Sequence, residues 1–191
     1  MPQNNYIEDK TFDKIDFTIE GFPKGEYEYC IFKNCNFSNS DLSRVNFLEC
    51  EFINCDLSLV KTNDTAFRIV KFKSSKILGV HFENCNKLGF SLSFDDCILN
   101  HSSFYQLKMK KTIFTNSKLE DVDFAETDLN GVCFLKCDMK GASFNFTNLE
   151  NADLRTSYNY SIDPETNKLK KAKFSFPEVT GLLDKYDIII N

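Results

Sequence analysis

The side chains most able to do chemistry in this chain of 191 residues include two histidines, His81 and His101. Nucleophilic and acid–base catalysis need a base placed beside a nucleophile, and metal sites need closely spaced His, Cys or carboxylate ligands. The sequence has neither a glycine-rich phosphate loop nor a C-x-x-C pair. It therefore predicts a protein that is not an enzyme and binds no cofactor or metal.

The eight cysteines are spaced for packing, because all except Cys133 fall on one slot of a five-residue repeat. We expect them to act as small buried hydrophobic residues. Cys30 and Cys50 are 20 residues apart, as are Cys35 and Cys55, so each pair is expected in adjacent coils about 4.8 Å apart. The polar N-terminus offers no apolar signal segment, which predicts free thiols and a cytoplasmic protein, and no stretch is apolar enough for a membrane span.

Carboxylates are the third group of side chains, after the histidines and cysteines, that could do chemistry. They are concentrated in residues 118–154, which carry eight acids and three bases. These 37 residues fill about 9 Å of axis at a coil spacing of about 4.8 Å, over which duplex DNA carries about five charges. The rest of the chain averages close to neutral, and solvated outward charges are the simpler interpretation. The acids of this block are Glu120, Asp121, Asp123, Glu126, Asp128, Asp138, Glu150 and Asp153.

A five-residue repeat of large apolar side chains sets the positions of these groups. Sixteen of the 20 phenylalanines fall on this five-residue spacing. A period of five fits neither a helix nor a single strand, and small residues recur two positions before each large one. Thr62 is the one polar residue at a repeat centre, which predicts a weak point or a bend there. Four pentapeptides per turn would stack the large side chains along one axis. The sixteen are Phe12, Phe17, Phe22, Phe32, Phe37, Phe47, Phe52, Phe67, Phe72, Phe82, Phe94, Phe104, Phe114, Phe124, Phe134 and Phe144.

Segments such as Ser40-Asp41-Leu42-Ser43-Arg44 and Thr127-Asp128-Leu129-Asn130-Gly131 resemble the A-(D/N)-L-x-x motif of pentapeptide-repeat proteins. The resemblance covers roughly residues 10 to 174 and implies an all-β fold, a right-handed quadrilateral β-helix. The C-terminal arrangement is similar to that of the Qnr-type fluoroquinolone-resistance proteins. That likeness implies a dimer joined through the C-terminus, a DNA-like charge, and binding to the type II topoisomerases DNA gyrase and topoisomerase IV.

The repeat divides the chain into a β-helix over 1–174 and a C-terminal segment over 175–191. The spacing slips by two residues within 83–93, which predicts an irregular loop at Asn86, Lys87, Leu88, Gly89 and Phe90. A tolerated insertion is the simpler interpretation of this loop, and a contact with a partner is the alternative. The last coil is irregular over 155–168. Ser175-Phe176-Pro177-Glu178 resembles a capping box, which predicts a short helix followed by a terminal β segment.

Apolar residues beyond those needed to cap the solenoid favour burial against a second copy. The predicted dimer interface is formed by Val179, Leu182, Leu183, Tyr186, Ile188, Ile189 and Ile190. The hypothesis is a homodimeric DNA mimic that binds topoisomerase and does not bind nucleic acid itself. The alternative is a general protein-interaction scaffold of the same repeat class.

Overall fold

The computed structural model describes residues 5–190, so the predictions that include residues 1–4 and 191 lie partly outside it. The described chain contains eleven short strands and one α-helix, α1 (Phe17–Glu20). The strands are β1 (Asn5–Glu8), β2 (Thr11–Asp13), β3 (Gly25–Glu28), β4 (Ile31–Lys33), β5 (Asn46–Leu48), β6 (Glu51–Ile53), β7 (Ala66–Arg68), β8 (Val70–Lys73), β9 (Leu92–Asp95), β10 (Ile113–Thr115) and β11 (Cys133–Leu135).

All strand pairs are parallel and form two sheets on adjacent sides of a square coil. One sheet has the order β1-β3-β5-β7, and the other has the order β11-β10-β9-β8-β6-β4-β2. Phe32 pairs with Phe12 on one side and with Phe52 on the other, so neighbouring strands are 20 residues apart. The two remaining sides are joined by isolated parallel bridges. The predicted right-handed quadrilateral β-helix is confirmed.

We call the sides the four-stranded face, the seven-stranded face and two bridge faces. The first bridge face follows the seven-stranded face along the chain and contains the bridge between Asn36 and Asp56. The second contains the bridge between Asp41 and Lys61 and leads into the four-stranded face.

The corners of the coil explain the polar positions of the repeat. The residue two after most centres has a left-handed backbone, with φ of 54° at Asp121 and 55° at Glu126. Where an Asp or Asn directly precedes a centre, its side chain caps the turn. For example, the Asp41 carboxylate accepts a hydrogen bond from the Ser43 backbone N–H at 2.8 Å. The repeated Asp or Asn is therefore needed for the fold.

Phenylalanine rings fill the axis. Phe114 is 0% exposed and stacks on Phe94 and Phe134 with ring centroids 5.0 Å apart in both pairs. Rings on adjacent sides meet edge to face, as Phe104 and Phe114 do at 6.0 Å. Both arrangements are favoured by the aromatic quadrupole and bury a large apolar area.

The small inner slot selects side chains that can also donate a hydrogen bond. Thr65 Oγ1 donates to the Leu42 carbonyl at 2.7 Å, and Thr127 Oγ1 donates to the Phe104 carbonyl at 2.8 Å. Cys55 Sγ lies 3.4 Å from the Phe32 carbonyl oxygen in the same way. All eight cysteines are free, and burial raises the pKa of the Cys55 thiol to about 12. These cysteines are packing residues.

The polar centre Thr62 is accommodated without disrupting the column. Its side chain is buried, and its hydroxyl donates to the His81 carbonyl at 2.7 Å. The fold therefore shows no irregularity at this predicted weak point.

The register changes between Asn86 and Leu92. Asn86 pairs with Ala66, 20 residues earlier, whereas Leu92 pairs with Val70, 22 residues earlier. The two extra residues form a bulge in which Leu88 is 76% exposed and Phe90 packs against the core. Arg68 Nε donates to the Leu88 carbonyl at 3.2 Å and holds the bulge to the four-stranded face.

The C-terminal end differs from the prediction in two ways. In place of a helix with a capping box, two 3-10 helices span Glu178–Leu182 and Asp184–Tyr186. The Ser175 hydroxyl donates to the Arg155 carbonyl and caps no helix. The predicted terminal β segment is also wrong, since Asp187 to Ile190 has no regular structure in this single chain. A strand needs a hydrogen-bonding partner, and the end of the coil offers none here.

Candidate interaction surfaces

The two histidines lie at the surface and contact carboxylates. His81 Nδ1 lies 2.9 Å from Glu83 Oε1, and His101 Nδ1 lies 3.5 Å from Asp121 Oδ2. Within the described part of the chain, no group of three or more His, Cys, Asp or Glu side chains is arranged to hold a metal ion. Nor does any helix of residues 5–190 have the length and apolar character needed to cross a membrane. The remaining candidates are surfaces.

The predicted acidic surface is distributed around the whole coil. By their positions in the repeat, its members occupy all four sides, and the structure does not bring them together on one. Asp121 and Glu126 are exposed, whereas the other six are half-buried. The first bridge face holds Glu120, Asp121 and Asp138, the second holds Asp123 and Glu126, the side that continues the four-stranded face holds Asp128 and Glu150, and the seven-stranded face holds Asp153.

Several of these acids have structural partners. Asp123 Oδ1 accepts from the Ala125 N–H at 2.8 Å, as a turn cap. Asp128 pairs with Lys110 at 3.2 Å. Asp153 pairs with Arg155 at 2.7 Å, and hydrogen bonds from Arg155 lower the pKa of the Asp153 carboxyl. Part of the charge in this block therefore stabilises turns or is locally neutralised.

Asp121 and Glu126 are the members best placed to meet a partner. Both are exposed corner residues with a left-handed backbone. Glu126 accepts hydrogen bonds from the Tyr105 hydroxyl at 3.0 Å and from Gln106 Nε2 at 2.7 Å, so its carboxylate is oriented at the corner. These bonds use only part of the acceptor capacity of a carboxylate.

A second acidic surface was missed by sequence reasoning. On the four-stranded face, residues 5–9, 25–29 and 45–49 contain five acids and no lysine or arginine. Averaging charge along the chain hides them, because bases on the other sides cancel the total for this region. Comparing residues 20 apart would have found them. They are Glu8, Asp9, Glu26, Glu28 and Glu49, which we call the N-terminal acidic face.

The predicted dimer residues divide into two groups. Val179 and Leu182 are half-buried, and Leu182 packs against the core of its own chain. Leu183, Tyr186 and the three isoleucines are exposed, with Ile189 at 89%. A groove of about 600 Å³ lies between the two 3-10 helices and the terminal segment, lined by Phe176, Pro177, Thr180, Leu183, Asp184, Asp187, Ile188 and Ile190.

Ion pairs fix this end of the chain to the irregular last coil. Lys185 Nζ lies 2.7 Å from both Asp163 Oδ1 and Glu165 Oε2, and the Tyr186 hydroxyl donates to Glu165 at 3.1 Å. Gly181 is required at its position, since a Cβ there would lie 2.0 Å from the Tyr160 carbonyl oxygen. The two 3-10 helices therefore cap the column and also carry the exposed apolar residues.

The parallel square coil with a buried aromatic column defines a β-solenoid. Sequence models described as pentapeptide repeat region and pentapeptide repeats match residues 75–154 and 28–59, together more than half of the chain. This chain belongs to the pentapeptide-repeat proteins. No curated protein sequence matches it.

Several solved structures match this chain at low sequence identity. Full-length QnrB1, a plasmid-mediated fluoroquinolone resistance protein, is 14% identical, with a TM-score of 0.51 over 96% of this chain and 100% of that one. A trypsin-treated QnrB1 variant is 18% identical, with a TM-score of 0.47 over 98% of each chain. HetL, a pentapeptide-repeat protein involved in heterocyst differentiation regulation from the cyanobacterium Nostoc, is 14% identical, with a TM-score of 0.31 over 90% of this chain and 89% of that one.

Proposed function

We propose that this protein is a non-enzymatic DNA mimic that binds a type II topoisomerase, DNA gyrase or topoisomerase IV, and protects it from fluoroquinolones. The resemblance of the sequence to Qnr-type proteins suggests the partner. The physical argument is that a stiff column with outward carboxylates offers a basic DNA-binding surface the charge that it normally meets on duplex DNA.

The observation that carries the proposal is the outward projection of acids at the corners of residues 118–154. Asp121 and Glu126 are exposed corner residues on adjacent sides of the column. Because the coil fixes their backbone, their charges are held in place before binding, which lowers the entropic cost of association.

The proposal includes a homodimer formed through the C-terminal groove. Supporting it, Ile188 and Ile190 line the groove and are more than half exposed. Burying such an apolar patch against a second copy is favourable. Pairing about a two-fold axis would join the two copies into one longer rod. The acids of residues 118–154 would then lie on either side of its centre, one set from each copy.

Dimerisation is tested by sedimentation of the full chain and of the variant Ile188→Asp/Ile190→Asp. Truncation is a poorer test, because residues 178–186 also cap the core. The native chain is expected to sediment as a dimer and the variant as a folded monomer. A native chain that is monomeric at high protein concentration contradicts this part of the proposal.

The topoisomerase proposal is tested by a supercoiling assay with purified gyrase, with and without ciprofloxacin. We expect excess protein to inhibit supercoiling and to reduce drug-stabilised cleavage. Asp121→Lys/Glu126→Lys should lose most of this effect while keeping the native circular dichroism spectrum.

The matched control is Asp64→Lys/Asp96→Lys, which makes the same charge change at two corners outside the acidic block. Asp64 has a φ of 56° and Asp96 a φ of 54°, so the backbone context is the same. Equal loss in both variants would mean that only net charge matters. No effect of the native protein on gyrase would reject the proposal.

The alternative function is a general protein-interaction scaffold of the pentapeptide-repeat class. The dispersal of the eight acids over four sides favours it, because a DNA-binding surface would meet only some of them at once. Under this alternative the gyrase assay is negative, and the exposed apolar and acidic surfaces serve another protein.

A further inference from the structure

The outer surface of the four-stranded sheet carries an arrangement of charges that the rest of the fold avoids. Glu8 in β1 lies directly opposite Glu28 in β3. Like charges directly opposite each other in a sheet destabilise it. Elsewhere the ladders pair opposite charges, as Glu51 does with Lys71 at 3.1 Å and Asp56 with Lys76 at 3.4 Å.

Four acids of the N-terminal acidic face have no compensating ion pair within the part of the chain that the structure describes. Among residues 5–190, no salt bridge joins Glu8, Asp9, Glu28 or Glu49 to a lysine or arginine. Two of the nearby bases have other partners. Lys24 pairs with Asp41 at 3.2 Å, and Lys10 Nζ lies 5.0 Å from the centre of the Phe12 ring.

Aromatic and aliphatic side chains lie among these carboxylates. Tyr6 and Tyr29 are 57% and 44% exposed, and the Tyr6 hydroxyl donates to Glu28 Oε2 at 2.7 Å. Further along the same face, Ile69 is 53% exposed and Leu88 projects from the bulge that Arg68 holds in place. The pKa of the Tyr29 phenol is raised, with Glu49 the largest cause and Glu28 next, because the surrounding field is negative.

We propose that this sheet face is a docking surface for a basic segment of a partner protein, rich in arginine or lysine and carrying an apolar side chain. The basic groups would neutralise the opposed carboxylates and lie over the faces of Tyr6 and Tyr29. The apolar side chain would pack on Ile69 and Leu88. From Glu8 to Leu88 the surface covers about 19 Å of axis at the usual strand spacing, which suits an extended segment of about six residues.

The negative charge of this face favours a basic polypeptide over other classes of ligand. Nucleic acids and anionic membranes would be repelled by five carboxylates. Exposed tyrosines and aliphatic side chains beside the charges favour a polypeptide over a simple cation. The proposal does not depend on the partner being a topoisomerase, and it concerns a different part of the column.

The test is a fluorescence anisotropy titration of the full chain with a labelled hexapeptide of sequence Arg-Leu-Arg-Arg-Leu-Arg at low salt. The face variant is Glu8→Gln/Glu28→Gln/Glu49→Gln. The control variant, Asp13→Asn/Asp95→Asn/Asp96→Asn, removes the same charge from exposed positions on or beside the seven-stranded face, outside both acidic surfaces. We expect the face variant to weaken binding at least tenfold and the control less than threefold.

Thermal melting of the same variants provides a second readout. Removing the opposed charges should leave the melting temperature of the face variant unchanged or higher, because Glu8 and Glu28 repel each other in the folded sheet. If the triple variant unfolds, Glu8→Gln alone replaces it, with an expected loss of at least threefold against Asp95→Asn. The absence of binding to the native chain, or equal weakening in the face and control variants, overturns the proposal.

Discussion

Truncation of one ring in the middle of the column is the most direct test of how this fold is stabilised. Phe114 is fully buried and stacks on Phe94 and Phe134 at 5.0 Å. Replacing a buried phenylalanine by alanine costs about 3–5 kcal/mol, from lost transfer free energy and the cavity left behind. Because the rings above and below are held by the backbone ladder, they cannot move in to fill the space. We therefore expect Phe114→Ala to fall in the upper half of that range.

Urea unfolding followed by far-ultraviolet circular dichroism measures the effect, since the chain contains no tryptophan for fluorescence. The expected loss of free energy of unfolding is about 4 kcal/mol, a large part of the 5–15 kcal/mol typical of a domain. Phe146→Ala is the matched control, because Phe146 is 69% exposed, lies outside the C-terminal groove and should change stability by less than about 0.5 kcal/mol. A loss below about 2 kcal/mol for Phe114→Ala would mean that the stacked column is not the main source of stability.

Three further predictions concern the inner slot, the corners and the pH dependence. Thr127→Val removes the hydrogen bond to the Phe104 carbonyl and should lower the free energy of unfolding by about 1–2 kcal/mol in urea titration, whereas no change would refute the donor role of the slot. Lys136→Gly relieves a left-handed φ of 55° and should raise the thermal midpoint, by up to about 1 kcal/mol of stability, and a lower midpoint would contradict the corner argument. The pKa of Asp41 is lowered to about 2, chiefly by hydrogen bonding from Ser43. Its stabilisation is therefore present above about pH 4 and lost as the pH falls towards 2, so Asp41→Asn should flatten the acid limb of stability measured over that window.

The architecture of the column could be predicted from the sequence because its cause is local and repeated. A large residue every five positions and a small one two before it allow few alternatives to a square coil. The two-residue slip was equally visible, since Phe82 and Phe94 are twelve residues apart. The structure adds the register, with the change falling between Asn86 and Leu92.

The C-terminal end was less predictable, since its structure depends on contacts with the last coil. Ser175 and Glu178 have the spacing of a capping box, yet the Ser175 hydroxyl donates to the Arg155 carbonyl of the preceding coil. The terminal isoleucines have strand propensity, but propensity alone forms no strand without a partner. Tertiary contacts therefore overrode local signals here.

The sequence by itself determined the period, the buried rings and the outward direction of the charges, because each follows from the order of residues within five positions. Only the tertiary structure decided which charges are neighbours, because residues 20 apart become adjacent when the coil closes. This 20-residue spacing places the acids of residues 118–154 on four sides of the coil, and it places Glu8, Glu28 and Glu49 on one side. The distribution of charge around the axis, which a partner would meet, is thus a property of the coil and not of the linear chain.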